Sequence, residues 1–453
     1  MSYSPQTARF PSFAAARAGF AEGQDSPRDF LERCLSAVAA REGEVMAFVS
    51  IDADAARHAA DASTARWRAG SPLSPVDGMP IGVKDCYDVA GLPTRVNSAY
   101  YADAAPAAFD AAHVWGLREG GAYVLGKTTT TEFTMALPAP TWNPWDLART
   151  PGGSSSGSAA AIAAGMLPFA TGSQVRGSGI RPGSICGLPV LKPSFGALNR
   201  HGGVDPSPSL NHIILMGGSV ADIWDGAQQI ATTVGGDPGH RPFARGPLPA
   251  ARRPLRLARQ YTIGWGKTDD ASKAVFEDWL ARIAAAGVEI VDPDAGPDFA
   301  AYEAATTRTI EWFFDLFHEI RWPLEEARRR RPEAFSAIMH RHLDNAAALT
   351  VEDYARALDR QDELRRMHRG FAGRVDGFVT LAHVGPGQLG QPEMGTPWYN
   401  DASSAIGAPT MNLPLLSVEG LPLGVQIMGF EQQDADLVAM GRWLLAQGNV
   451  ACA

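Results

Sequence analysis

The segment Thr150–Ala161 reads TPGGSSSGSAAA, three consecutive serines between glycines and just ahead of an alanine run. It holds no histidine, cysteine or acidic residue, so a serine nucleophile here needs its base from elsewhere in the chain. Gly153–Gly157 fits the GxSxG elbow centred on Ser155, but that elbow requires a strand immediately before it and a histidine and an acid after it. The preceding WNPWDLARTP has two prolines and no strand period, and none of the 10 histidines sits in a distinctive motif, His383 in TLAHVGPG being the best candidate. One serine would suffice as a helix cap. Three between glycine pairs point instead to a constrained backbone, of the kind retained where function uses it.

Amines are scarce: of 40 basic residues only Lys84, Lys127, Lys192, Lys267 and Lys273 are lysines. Gly121–Thr128, GAYVLGKT, satisfies the P-loop expression GxxxxGK[ST]. Its four variable positions are themselves the expected strand, which leaves no loop to wrap a phosphate, and Lys127 is read as a strand-end residue.

The elements that must position these groups follow from hydrophobic period. Ser26–Arg68 is helical, with Phe30, Leu31, Leu35 and Val38 near i, i+4, i+8 spacing. The short apolar stretches PIGVKD, AYVLGK and PFATGS then alternate with helix-like segments, the pattern of an α/β sheet. Gly235–Pro254 is rich in glycine, proline and arginine and reads as a loop or linker. Beyond it the pattern predicts a strand at PLRLARQ, a helix over Ala271–Gly287, a strand at VEIVD and a long helical stretch to about Ala372. Strands at VDGFVTLA, APTMNLPLL and LPLGVQIMG precede a last helix, Asp434–Gln447.

Composition narrows the class. The 453 residues are 45% hydrophobic and 20% charged, which places the chain among globular proteins with a substantial core. The longest apolar run, Ala159–Ala170, contains Gly165 and Pro168, falls short of the ~20 residues of a membrane span, and reads as a buried helix running into a strand. The opening residues lack the apolar stretch of a secretory signal, so a cytoplasmic setting is expected. A net charge of -9 disfavours nucleic acid and anionic membranes as partners. The basic cluster Arg328–Arg331 reads as a solvated helix face. Cys34, Cys86, Cys186 and Cys452 lack CxxC or CxH spacing, so neither a metal site nor a disulfide framework is expected.

Read on to Gly187, the segment PGGSSSGSAAAIAAGMLPFATGSQVRGSGIRPGSICG resembles the signature of the amidase signature family. GMPIGVKD, GAYVLGKTTTTEF, NPWDLARTPGGSSSGSAAA, LKPSFG and GAPTMNLPLLSVEGLPLGVQIMG are similar to family blocks in the family's order, over most of residues 26–235 and 375–448. The resemblance implies a single large α/β domain, a mixed sheet covered on both faces by helices. Residues 1–70 would form an N-terminal helical layer and 71–235 the catalytic core; 236–374 would be a variable, largely helical substrate-side segment, and 375–453 the rest of the core sheet with the last helix.

The resemblance also implies the site. Ser178 is the nucleophile, Ser154 the bridging serine on a cis bond after Gly153, and Lys84 the base, with Gly153, Ser155 and Ser156 in support. The backbone N–H groups of Val175, Arg176, Gly177 and Ser178 would form an oxyanion hole. A single such donor typically lowers the barrier by ~2.7–4 kcal/mol. Serine attacks only once its proton is removed, and a lysine removes it only when neutral. Lys84 must therefore be buried, on the side of the apolar Ile81 and Val83, to fall from ~10.4 towards ~7–8. No cofactor and no metal are called for.

The common family turn DTGGSIR is here QVRGSGIR. Gln174 replaces the acid, and Arg176 replaces a small residue, which sends its guanidinium into an ion pair or narrows the acyl pocket. Gly179 replaces an aliphatic residue and is expected to add flexibility or room. In TIEWFFDLFHEIRW, Ile310, Phe313, Phe314 and Phe317 make one stripe and Trp312, Leu316 and Ile320 a second, either a thick core helix or a pocket wall. Phe133, Trp312 and Leu316 are the candidate substrate contacts, favouring apolar or aromatic groups in a small-molecule amide, ester or carbamate (urethane). A homodimer is compatible with the sequence. Two alternatives stand beside the self-contained hydrolase: a glutaminase subunit of a tRNA-dependent amidotransferase complex, and a non-catalytic binding protein on the same scaffold.

Overall fold

PIGVK, YVLGKT and FATGSQ are apolar or small at almost every position, and each is buried along its whole length. Parallel strands covered on both faces need that composition. In the computed structural model, which describes residues 2–390, 394–448 and 450, these segments are β2 (Pro80–Lys84), β3 (Tyr123–Thr128) and β4 (Phe169–Gln174), with β1 at Phe48–Ile51. The chain continues through β5 (Val190–Lys192), β6 (His212–Gly217), β7 (Arg256–Arg259), β8 (Glu289–Val291), β9 (Gly377–Leu381), β10 (Thr410–Val418) and β11 (Leu421–Met428). The described residues form one 11-stranded sheet in the order β1-β3-β2-β4-β6-β5-β10-β11-β9-β7-β8. Pairing is mixed: β2 runs parallel to β3 and β4, and β7 parallel to β8 and β9, while β4–β6, β5–β6, β5–β10, β10–β11 and β9–β11 are antiparallel.

Helices flank this sheet. Ser156–Ala163 is buried at every residue, which its serine, glycine and alanine composition permits. It runs on towards β4 as the apolar run predicts, and the last helix spans Asp434–Gln447. The N-terminal layer differs from its helical reading. Helices Pro27–Val45 and Ala53–Arg68 are separated by β1, which pairs antiparallel with β3. Met46, at φ 55, ends the first helix in the left-handed region and turns the chain into that strand, and four residues are too short to show a period of two. The segment 236–374 supplies β7 and β8 to the sheet, at the strands expected of PLRLARQ and VEIVD, before its longer run of helices begins. Its stretch Ile310–Ile320 is one helical turn, Ile310–Phe313, followed by a 3-10 segment, Phe314–Ile320. Arg328 and Arg330 pair with Glu325 and Glu326 on a helix surface, the local ion pairing expected of that basic cluster. Cys34, Cys86 and Cys186 are buried free thiols; Cys452 lies outside the described residues. Among the described residues no helix is long and apolar enough to cross a membrane.

Candidate active site

Two neighbouring parallel strands deliver their last residues to one place. Lys84 ends β2, Ser173 and Gln174 end β4, and Val83 pairs in register with Thr171. A crevice at the carboxyl ends of parallel strands is where open α/β sheets put their chemistry. The turn Val175–Gly179 leaves β4 there, and the Gly153–Ser154 peptide, which is cis, approaches from the loop before the helix Ser156–Ala163.

Lys84 is fully buried, its Nζ 2.7 Å from Ser154 Oγ, 2.7 Å from Ser173 Oγ and 3.5 Å from the Ser173 carbonyl. It forms no ion pair among the described residues. Burial therefore pulls its pKa down to about 8; the nearby Arg181 cation pulls the same way, and the Cys86 thiol opposes. Lys127, in register with Val83 on the neighbouring strand, contrasts with it. It is equally buried but meets Asp85 at 3.0 Å and donates to the Tyr87 carbonyl at 2.7 Å, a structural ion pair with no phosphate loop around it.

Ser155 links the serine loop to everything around it. Its N–H donates to the Ser178 carbonyl at 3.1 Å, and its Oγ donates to the Ser173 carbonyl at 3.2 Å. Ser156 Oγ reaches the Ser154 carbonyl at 3.5 Å, and Arg181 Nε donates to the Gly153 carbonyl at 2.9 Å. Arg181 is buried, donates also to the Gly395 carbonyl, and has no carboxylate partner among the described residues. Burial, reinforced by Arg176, lowers its pKa to about 9, which leaves it cationic at neutral pH.

The helix Asp401–Ile406 splints the turn that carries Ser178. Asp401 grips the Arg176 guanidinium with two bonds, to Nε at 2.8 Å and Nη2 at 2.6 Å, and Ser404 Oγ donates to the Arg176 carbonyl. Arg176 thus enters an ion pair and still lines the cavity described below, with its Cζ 4.6 Å from the centroid of the Phe314 ring. Gln174 Oε1 accepts from the N–H groups of Gly179 and Ile180, both at 2.9 Å, while its Nε2 donates to Ser404 Oγ at 3.0 Å. A carboxylate could accept both N–H bonds but could not make that third one. Gly177 is held small by Asn400, whose Oδ1 would collide with a Cβ. Gly179 adds no room: a Cβ there would meet Ile214 side-chain carbons at 2.5 Å, so close packing explains the residue. Among the described residues the N–H groups of Arg176, Gly177 and Ser178 have no hydrogen-bond acceptor.

Ser154 and Ser178 face a cavity of about 240 Å³, walled by Thr134, Met135, Val175, Arg176, Phe314, Phe317 and His342, with Arg181, Met394, Gly395 and Pro397. Larger grooves of about 550 and 580 Å³ contain no serine–lysine pair. The wall differs from the expected one, since none of Phe133, Trp312 and Leu316 lines the cavity. Phe133 is buried and stacks on Phe335 at 5.1 Å, Leu316 is wholly buried, and Trp312 lines the separate 550 Å³ groove. The break at Phe314 rotates the apolar stripes, so Phe314 and Phe317 reach the cavity while Phe313 and Ile320 enter the core. His383 hydrogen-bonds neither Ser154 nor Ser178: it is buried with Nδ1 on the Gly385 carbonyl and Nε2 on the Thr396 N–H, and burial lowers its pKa to about 4.

Sequence reasoning missed Ser173, Asp401 and Ser404. Ser173 is one small polar residue at a strand end, and the other two lie over 200 positions from the turn they hold, so nothing local marks them.

The family model described as Amidase matches residues 29–438. The chain is similar to the A subunit of the glutamyl-tRNA(Gln) amidotransferase of Chloroflexus aggregans (strain MD-66 / DSM 9485), 29% identical over 94% of both chains. It is also similar to AtzE, a 1-carboxybiuret hydrolase subunit of Pseudomonas sp. (strain ADP), 29% identical over 95% of this chain and 97% of that one. A solved structure reported as a crystal structure of amidase superposes with a TM-score of 0.83 at 26% identity, covering 96% of this chain and 99% of the other.

Proposed function

The chain belongs to the amidase signature family and is an amide-hydrolysing enzyme, and from that premise we propose that it cleaves a small C–N amide through an acyl-enzyme on Ser178. The observation that carries this reading is the buried Lys84 amine 2.7 Å from the Ser154 hydroxyl, with Ser154 and Ser178 on one cavity. In the neutral amine two N–H bonds serve Ser173 Oγ and the Ser173 carbonyl, which leaves the lone pair for the Ser154 proton. Ser154 in turn takes the Ser178 proton as Ser178 Oγ bonds to the carbonyl carbon. The N–H groups of the turn 175–178, already without acceptors at Arg176, Gly177 and Ser178, receive the oxyanion. Collapse expels the amine, which takes its proton back through Ser154, and water then frees the acid from Ser178 by the same relay run in reverse. Carbamates and esters present the same acyl carbon and are within reach of this chemistry.

A cavity of about 240 Å³ lies below the ~300–1,000 Å³ of pockets for drug-sized ligands, so the substrate is small. A panel of primary amides, aryl amides, esters and carbamates, run on the wild type and Ser178→Ala, tests the proposal together with covalent labelling of Ser178 by a fluorophosphonate. Turnover that survives in Ser178→Ala, or absence of labelling, would refute it. The second reading, a glutaminase component working inside a complex, is favoured by the similarity to the amidotransferase over 94% of the chain. Glutamine hydrolysis that appears only with added partner proteins would establish it.

A further inference from the structure

The wall of the cavity carries charge that the proposed relay does not use. Of the described residues that line it, two are arginines, one is a histidine and none is a carboxylate. Asp401 balances Arg176 through Nε and Nη2, but Arg181 is satisfied only by carbonyl oxygens, so the described lining has one net positive charge even with His342 neutral. Arg176 Nη1 makes no hydrogen bond among the described residues, and neither ring nitrogen of His342 does. None of these atoms belongs to the buried polar atoms sealed without a partner, so each keeps solvent-accessible surface on a residue that lines the cavity. Glu132, which acts on His342 with opposite sign, is occupied by the N–H and hydroxyl of Ser336. Phe314 fixes the Arg176 plane from one side and Asp401 fixes its edge, so the free Nη1 is held in place rather than left to wander.

From this arrangement we infer that the substrate is an amide whose acyl half carries a carboxylate, received by Arg176 Nη1 and His342, with a short apolar or aromatic spacer against Phe314, Phe317 and Met135. The inference rests on the hydrolase reading above and names its substrate class. An apolar acyl group would fill the same space while leaving the cation on Arg181 unbalanced and displacing water from Nη1 without replacing its hydrogen bonds. A carboxylate supplies both the charge and the acceptors, and guanidinium is the donor best shaped for it.

The test compares succinamic acid with butanamide and the monoamide of terephthalic acid with benzamide, each pair matched around the scissile bond. The wild type should prefer the anionic member by at least about tenfold in kcat/KM. His342→Glu should erase or invert that ratio, Arg176→Gln should reduce it, and His342→Arg should preserve it. Succinate should protect Ser178 from fluorophosphonate labelling where butyrate does not, a readout that holds even if none of the four amides is turned over. Equal or better use of the neutral amides, a ratio unmoved by His342→Glu, or equal protection by the two acids would overturn the inference while leaving the labelled hydrolase intact. Loss of labelling in the wild type would instead remove the hydrolase reading, and this one with it.

Discussion

The floor of the cavity and its wall are built on opposite plans. On the floor, Lys84, Ser154, Ser155, Ser173 and Gln174 hydrogen-bond one another or their neighbours at short range, and all are buried. On the wall, Phe314 is 41% exposed, and His342 and one edge of Arg176 make no hydrogen bonds among the described residues. The floor comes from adjoining strand ends and one loop, whereas the wall draws Phe314, Phe317 and His342 from the segment 236–374. A closed network fixes chemistry, because each donor already has its direction. An open one leaves recognition to whatever arrives.

If that division is right, lesions should sort by region. Ser178→Ala should lower kcat by about 10⁵–10⁶-fold, the range seen when an acyl-enzyme nucleophile is removed, with circular dichroism unchanged. Lys84→Met should follow with a loss of about 10²–10⁴-fold. The wild-type kcat/KM should rise about tenfold per pH unit up to about 8 and level off above it, because the active amine is the deprotonated one, and Lys84→Met should flatten that limb. Stability should follow pH in the same direction. Folded Lys84 releases its proton at about 8 but the unfolded chain only near ~10.4, so below about pH 8 the fold carries the full penalty of burying a charge, and that penalty fades as pH rises from about 8 to ~10.4. Lys84→Met should therefore raise Tm at pH 7.

Smaller effects test the supports. Asp401→Asn, which weakens the grip on Arg176 without touching the serines, should cost about 10–100-fold in kcat as the turn loosens, the scale of a sub-ångström to ~1 Å misplacement. Phe314→Ala should change KM by only about three- to tenfold and leave kcat for a small ester nearly constant, since it removes contact area on the wall alone. An Asp401→Asn effect confined to KM, or a Phe314→Ala effect confined to kcat, would erase the distinction between floor and wall.

The same division decides what can be read from sequence. The strands β2, β3 and β4, the buried alanine helix and the closing helix announce themselves through apolar runs, because they are buried on most or all sides. The serine pair and Lys84 stand out by family resemblance, not by period. The wall is misplaced when a regular helical period is projected through Ile310–Ile320, because the chain there tightens to 3-10 geometry and moves different side chains inward. Asp401 and Ser404 escape notice for another reason: their partners are chosen by the order of the sheet, and no local pattern encodes a contact across more than 200 residues.

The bond from the Ser155 amide to the Ser178 carbonyl, at 3.1 Å, joins the loop that carries Ser154 to Ser178 itself. Under the proposed relay a proton passes between these two segments, and this bond ties them directly. Hydrogen–deuterium exchange at that single amide would serve as a gauge of the tie, readable in resting protein without any substrate at all.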